Sequence, residues 1–195
     1  VSVDASFSDI IENTDFAAML AGEARKGKFA IIADLIYLDL EADGSTPGRL
    51  FSGVKAETES TVLTGALAYQ FYHSGRFTVE GLAGVRAWWV DTKVTLRAGL
   101  LAERRRDDDE SWADAIVGIR VNTELGSGFS LNFLADIGGG ASDHTWEIRS
   151  SLNYQVNDWL RARAGYRHLE VDYENDGFVW DVDLSGPIIG ATITF

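Results

Sequence analysis

The segment "FTVEGLAGVRAWW" (77–89) places Phe77, Val79, Gly81, Ala83, Val85, Ala87 and Trp89 on one face and Thr78, Glu80, Leu82, Gly84, Arg86 and Trp88 on the other. A period of two is the period of a β-strand with unlike faces, and a helix turning every 3.6 residues could not sort these side chains. The pattern recurs. Over 112–124, Ala113, Ala115, Val117, Ile119 and Val121 oppose Asp114, Gly118, Arg120, Asn122 and Glu124; over 144–156, Trp146, Ile148, Leu152 and Tyr154 oppose Glu147, Arg149, Ser151, Asn153 and Gln155. Such a chain must find an environment for whole faces of sheet, one apolar and one polar.

Alternating segments near 1–8, 15–25, 28–40, 56–72, 77–91, 112–125, 129–138, 144–156, 159–173 and 178–195 predict about ten strands, with eight as the lower count. "RKGK" (25–28), "HSGR" (73–76), "GSG" (126–128) and "ND" (157–158) have the chemistry of tight hairpin turns. The stretches 41–55, 92–111, 138–143 and 173–177 are longer and polar. Short and long connections in alternation predict an up-and-down meander, with tight turns on one side of a layer and loops on the other. No linker or shift in composition divides the 195 residues, so 1–195 is a single domain. "SGP" (185–187) interrupts the last segment, and its proline predicts a bulge that switches the facing between Trp180 and Ile189.

Three features favour the apolar faces pointing outward. Aromatic residues mark strand ends: Phe29, Phe71, Phe77, Phe129, Tyr154 and Phe195 lie by the tight turns or the terminus, while Tyr37, Trp89 and Trp146 lie toward the loops. Two such girdles around an aliphatic band are what a bilayer imposes on a barrel. The polar faces balance in charge, with Arg25, Arg86, Arg120, Arg149, Arg161, Arg163 and Arg167 against Glu23, Asp34, Glu80, Asp114, Glu124, Asp136 and Glu147. Arginine suits enclosed pairing with carboxylates; the lysines Lys26, Lys28, Lys55 and Lys93 fall in or near turns, loops and strand ends. Finally, a closed barrel removes the edge strands that lipid cannot tolerate. The fold class expected is therefore all-β, a closed antiparallel up-and-down transmembrane β-barrel with a charged, largely plugged lumen. The alternative is a soluble lipocalin-like ligand-binding cup with the same strands facing the other way.

The closing "GPIIGATITF" (186–195) alternates Ile189, Ala191, Ile193 and Phe195 with Gly190, Thr192 and Thr194. It resembles the C-terminal strand of proteobacterial outer-membrane proteins, in which a terminal Phe is the signal to the barrel assembly machinery. With "FAIIADLIYLDL" (29–40), "RARAGYRHLEVDY" (161–173) and "FVWDVDLSGPIIGATITF" (178–195), the chain is similar to the small outer-membrane barrels that include OmpA, OmpX and OmpW. That resemblance implies a monomer in the bacterial outer membrane, with lipid and lipopolysaccharide around it and the assembly machinery engaged through Phe195. The role implied is structural, or the passage of small solutes through a narrow pore.

A net charge of −13, from 30 acidic and 17 basic residues, argues against nucleic acid as a partner. Cysteine is absent, which removes thiolate chemistry and disulfides. No metal-ligand spacing or cofactor motif occurs, and no enzyme activity is expected. Of the histidines, His73 sits in a turn and His168 on the Tyr166 face near the outer rim. "SDHT" (142–145) carries the one enzymatic alternative, an outer-membrane hydrolase or acyltransferase using Asp143 and His144. The run "ERRRDDDE" (103–110) is expected to be a solvated loop, with lipid phosphates as the competing ligand for its arginines.

Overall fold

The computed structural model describes residues 14–44 and 50–193. Within them the chain forms nine strands: β1 Thr14–Lys26, β2 Phe29–Gly44, β3 Phe51–Ser74, β4 Phe77–Ala98, β5 Arg104–Gly126, β6 Phe129–Gly140, β7 His144–Gln155, β8 Leu160–Asn175 and β9 Phe178–Ile193. They make one sheet in sequence order, every neighbour antiparallel. The strand expected at 1–8 lies outside the described residues, as does Phe195.

The sheet curls into a half-barrel. Arg149 on β7 and Arg167 on β8 both bond Asp34 on β2, so side chains from distant strands meet across the concave side. Among the described strands, β1 and β9 form the two ends of the ladder. Alternation assigns the two faces. Ala30, Ile32, Asp34, Ile36 and Leu38 are buried on the concave side of β2, while Phe29 and Ile31 stand exposed on the convex side.

Tight curvature brings inward positions of neighbouring strands very close. A Cβ at Gly84 on β4 would fall against the Gly65 carbonyl oxygen and Ala66 on β3, and one at Gly118 on β5 would fall against Ala135 and Asp136 on β6. Both positions need glycine.

Three expectations are corrected. β3, β4 and β5 run for 24, 22 and 23 residues against 12 for β6 and β7, so the stretches 41–55 and 92–111 are largely strand and extend the sheet beyond its loop-side rim. "ERRRDDDE" is accordingly not a loop: Arg104–Glu110 pair with Val90–Leu96 in full register. Polarity suggested loops there because both faces of this extension are solvated. Ion pairs between strands stitch it, Lys55 Nζ lying 3.0 Å from Glu41 and Arg97 meeting Asp43. The connection expected at 173–177 is a two-residue turn, Asp176 and Gly177 both adopting positive φ (45° and 88°), as an Asp-Gly hairpin turn requires. Last, β9 pairs with β8 from Phe178 to Ile193 without a register shift, so no bulge occurs at Ser185–Pro187. Trp180 and Ile189 face opposite ways by parity alone, and Pro187 is accommodated because β9 is an edge of the described sheet.

Candidate functional site: the packed concave side and the banded convex side

The concave side stacks in layers along the strands. Nearest the tight turns, Glu80 on β4 lies 2.6 Å from Arg25 on β1 and 2.6 Å from Arg120 on β5, and Glu23 joins both arginines at 2.8 and 2.7 Å. Ala30, Ile32, Ala68, Leu82 and Leu134 pack above this layer as an apolar cluster. The central layer is again ionic. Arg86 reaches Asp136 and Glu147 at 3.0 Å each, and its other nitrogens bond the hydroxyls of Thr64 and Thr145. Arg167 meets Asp34 at 2.6 Å and Glu147 at 3.0 Å, and Arg149 meets Asp34 at 2.7 Å.

In both ionic layers the arginines and carboxylates match one for one. Arg86, which is 0% exposed, has every guanidinium nitrogen bonded. That saturation makes its burial tolerable, since a buried charge left without partners costs several kcal/mol. Above the central layer Trp88 and Trp112 stack at 5.6 Å and 5°, and Trp112 and Tyr173 at 4.0 Å and 4°. Ile36, Leu38, Val62, Val90, Leu169 and Val171 complete this loop-side core. The cavity left in the central layer, bounded by Asp34, Asp136, Arg149 and Arg167, measures about 20 Å³, room for about one water.

Not every residue expected on the charged face joins an ion pair. Asp114 is buried but accepts the amide hydrogens of Ala141 and Ser142, at 3.0 and 2.8 Å, and so caps the β6–β7 loop. Arg161 and Arg163 donate to the amide oxygens of Gln155 and Asn153. Glu124 is exposed near the β5–β6 turn. The aromatic column was legible in parity, since Trp88 and Trp112 lie on the charged faces and pair directly across β4 and β5. Their stacking was not.

The convex side is apolar and exposed. Val85 is 50% exposed, Val117 58% and Ile137 66%. Phe29, Phe71, Phe77, Phe129 and Tyr154 stand exposed toward the turns, with Phe29 against Tyr69 and Phe129 against Tyr154. Tyr37, Trp89 and Trp146 lie at the loop side, Trp89 exposed and the other two half-buried. Beyond Tyr37 and Trp89 the face changes abruptly: Asp39, Glu59, Asp91 and Asp109 sit opposite one another across β2 to β5, a row of carboxylates. Hydrogen bonds that the Lys55 ammonium donates to Glu41 and Glu57 in the next row hold it above its ordinary pKa.

Asp143 and His144 do not form the expected pair. His144 turns to β8, its Nε2 3.2 Å from Glu170 and its Nδ1 3.9 Å from Asp172. His168 lies on the convex side beside Trp146, ring centroids 4.4 Å apart, and its Nδ1 is 2.5 Å from the Ser185 hydroxyl. Among the described residues no cluster of three or more His, Asp or Glu side chains is arranged to hold a metal ion.

Comparison of the chain with models of known protein families, with curated proteins and with solved structures gives no match.

Proposed function

We propose that the chain is an integral barrel of a bacterial outer membrane, closed in the bilayer, monomeric, and structural in role because its interior is filled. The observation that carries this reading is the inversion of polarity. Glu80, Arg86, Asp114 and Glu147 are buried while Leu20, Ile31, Leu67, Val117 and Ile137 are exposed. A soluble cup would expose far more apolar surface than water tolerates, whereas a bilayer requires it. The uncharged band on the convex side of β2 to β5 ends in Tyr37 and Trp89, and the carboxylate row begins two residues further along each of these strands. That order, aliphatic then aromatic then charged, is the order of a membrane interface. Lipid hydrocarbon is the partner of the band, and lipopolysaccharide surrounds the extended ribbon of β3 to β5.

Between the two roles expected of such a barrel, the filled interior favours the structural one. A pore needs a continuous aqueous path, and the void in the central ionic layer has room for about one water.

The test is gel mobility of the chain refolded in detergent, with and without boiling. A closed membrane barrel resists detergent unfolding, so the unboiled sample runs at a shifted position. A chain that stays soluble and monomeric without detergent and shows no shift would refute the reading.

A further inference from the structure

On the convex side of β5 to β7 a groove of about 490 Å³ opens beside Gly138, which pairs with Ile116 on β5 and Thr145 on β7. The groove is walled by Val117, Ile137 and Trp146 and ends at His144. Its volume is in the range of small-molecule sites, about 300–1,000 Å³. Against Trp146 lies His168, whose Nδ1 is 2.5 Å from Ser185 Oγ. Among the described residues His168 Nε2 has no hydrogen-bond partner, and it faces Glu170 Oε2 at 3.7 Å. Glu170 is tethered in turn by His144 Nε2 at 3.2 Å. The register sets these groups side by side, His168 opposite Ser185 on β9 and Glu170 opposite Trp146 on β7. The same Nδ1 also lies 3.2 Å from Asp183 Oδ1, the acceptor of the Ser185 proton; with the hydroxyl turned to His168, the order hydroxyl, imidazole, Glu170 carboxylate is that of an activated nucleophile.

We propose that Ser185 and His168 form an acyl-ester hydrolase site that takes a lipid whose acyl chain lies in the Val117–Ile137–Trp146 groove. The proposal rests on the membrane reading above, which puts this face at the level of lipid ester groups. Ser185 Oγ bonds to the ester carbonyl carbon as its proton passes to His168 Nδ1. The ester C–O bond breaks, and the departing alcohol takes that proton. Water then bonds through its oxygen to the acyl carbon as it loses a proton to His168 Nδ1; the bond from that carbon to Ser185 Oγ breaks, Oγ takes the proton back from His168, and a fatty acid leaves. Glu170 is a positioning residue that stabilises the imidazolium. In the resting arrangement Ser185 donates to Asp183 Oδ1 at 2.5 Å, and the hydroxyl must turn to His168 before it reacts.

The experiment uses the full chain refolded in detergent micelles. One arm supplies phosphatidylethanolamine, the other lipopolysaccharide, and released fatty acid is measured by mass spectrometry. A fluorophosphonate probe is applied in parallel and its adduct mapped. Release from either lipid identifies the source of the ester, with an adduct on Ser185. Ser185→Ala and His168→Ala should each lower release by about 100-fold or more, Trp146→Ala should raise KM for long acyl chains more than for acetyl esters, and Glu170→Gln should shift the pH profile. Heat-shifted mobility of each variant is read alongside. A folded barrel that releases no fatty acid and carries no adduct overturns the hydrolase, as does activity that survives Ser185→Ala. A chain that shows no heat shift overturns the membrane reading and the lipid site with it.

Discussion

Arg167 on β8 donates to Asp34 on β2 across 2.6 Å, though 133 residues separate them in sequence. Asp34 also accepts from Arg149, so one carboxylate closes the central ionic layer against two cations. Asp34→Leu would leave both arginines short of an acceptor inside a packed interior. Breaking a buried pair from one side costs about 3–5 kcal/mol. The urea midpoint of the chain folded into lipid vesicles should fall accordingly, and a double-mutant cycle with Arg167→Met should give a clearly non-additive result. A loss under about 1 kcal/mol would mean the pair is solvated like a surface ion pair.

Ala83 stands exposed on the convex side of β4, and Thr78 lies on the opposite face near the β3–β4 turn, its hydroxyl 3.0 Å from His73 Nδ1. Ala83→Arg would put a guanidinium into the middle of the apolar band, at a cost of about 2–4 kcal/mol in a bilayer. Thr78→Arg should cost much less. Folding yields into vesicles measure the difference. Nitroxide labels at Ala83 and Val85 should be accessible to oxygen in the lipid phase and shielded from water-soluble quenchers; the reverse would invert the two faces.

Conduction separates a filled barrel from a pore. With Trp88, Trp112 and Tyr173 stacked over the central layer, the intact chain in a planar bilayer should show no stable ohmic steps. Trp112→Ala removes the middle ring of the column and should destabilise the fold by about 3–5 kcal/mol. Steady, repeatable steps from the unaltered chain would replace the structural role with a porin-like one.

What the sequence disclosed was the period of two and the facing it implies. Glu80 and Arg86 had to share a face because they share parity with Leu82 and Gly84, and the structure buries them together. Two things were not legible. Strand ends failed where both faces are polar: "RRRDDD" (104–109) has no apolar face to mark it as strand, so the stretch resembles a loop although it is the start of β5. Partner choice failed because parity gives the face and leaves open the distance across the curl. That Arg120 bonds Glu80 and Glu23 while Asp114 turns to the loop amides depends on how far the sheet coils between β1 and β5. The pairing of His168 with Ser185 was hidden for the same reason, since it needs the register of β8 on β9.

That coiling rests on glycines, and neighbouring strands offer an internal control. Gly65 on β3 and Gly84 on β4 lie in adjacent register positions, Gly65 opposite Val85 and Gly84 opposite Ala66. A Cβ at Gly65 would meet nothing within 4 Å, whereas one at Gly84 would overlap the Gly65 carbonyl oxygen and Ala66. Gly65→Ala should therefore be neutral or stabilise by about 0.4–1 kcal/mol, because it narrows the unfolded ensemble without strain. Gly84→Ala should destabilise by about 1–3 kcal/mol, because β3 and β4 must separate or flatten to admit the methyl group. Urea titrations of both variants in the same vesicles compare them directly. If the two substitutions behave alike, the inward glycine does not set the curvature, and the close approach of β3 to β4 is not what brings Arg149 and Arg167 within reach of Asp34.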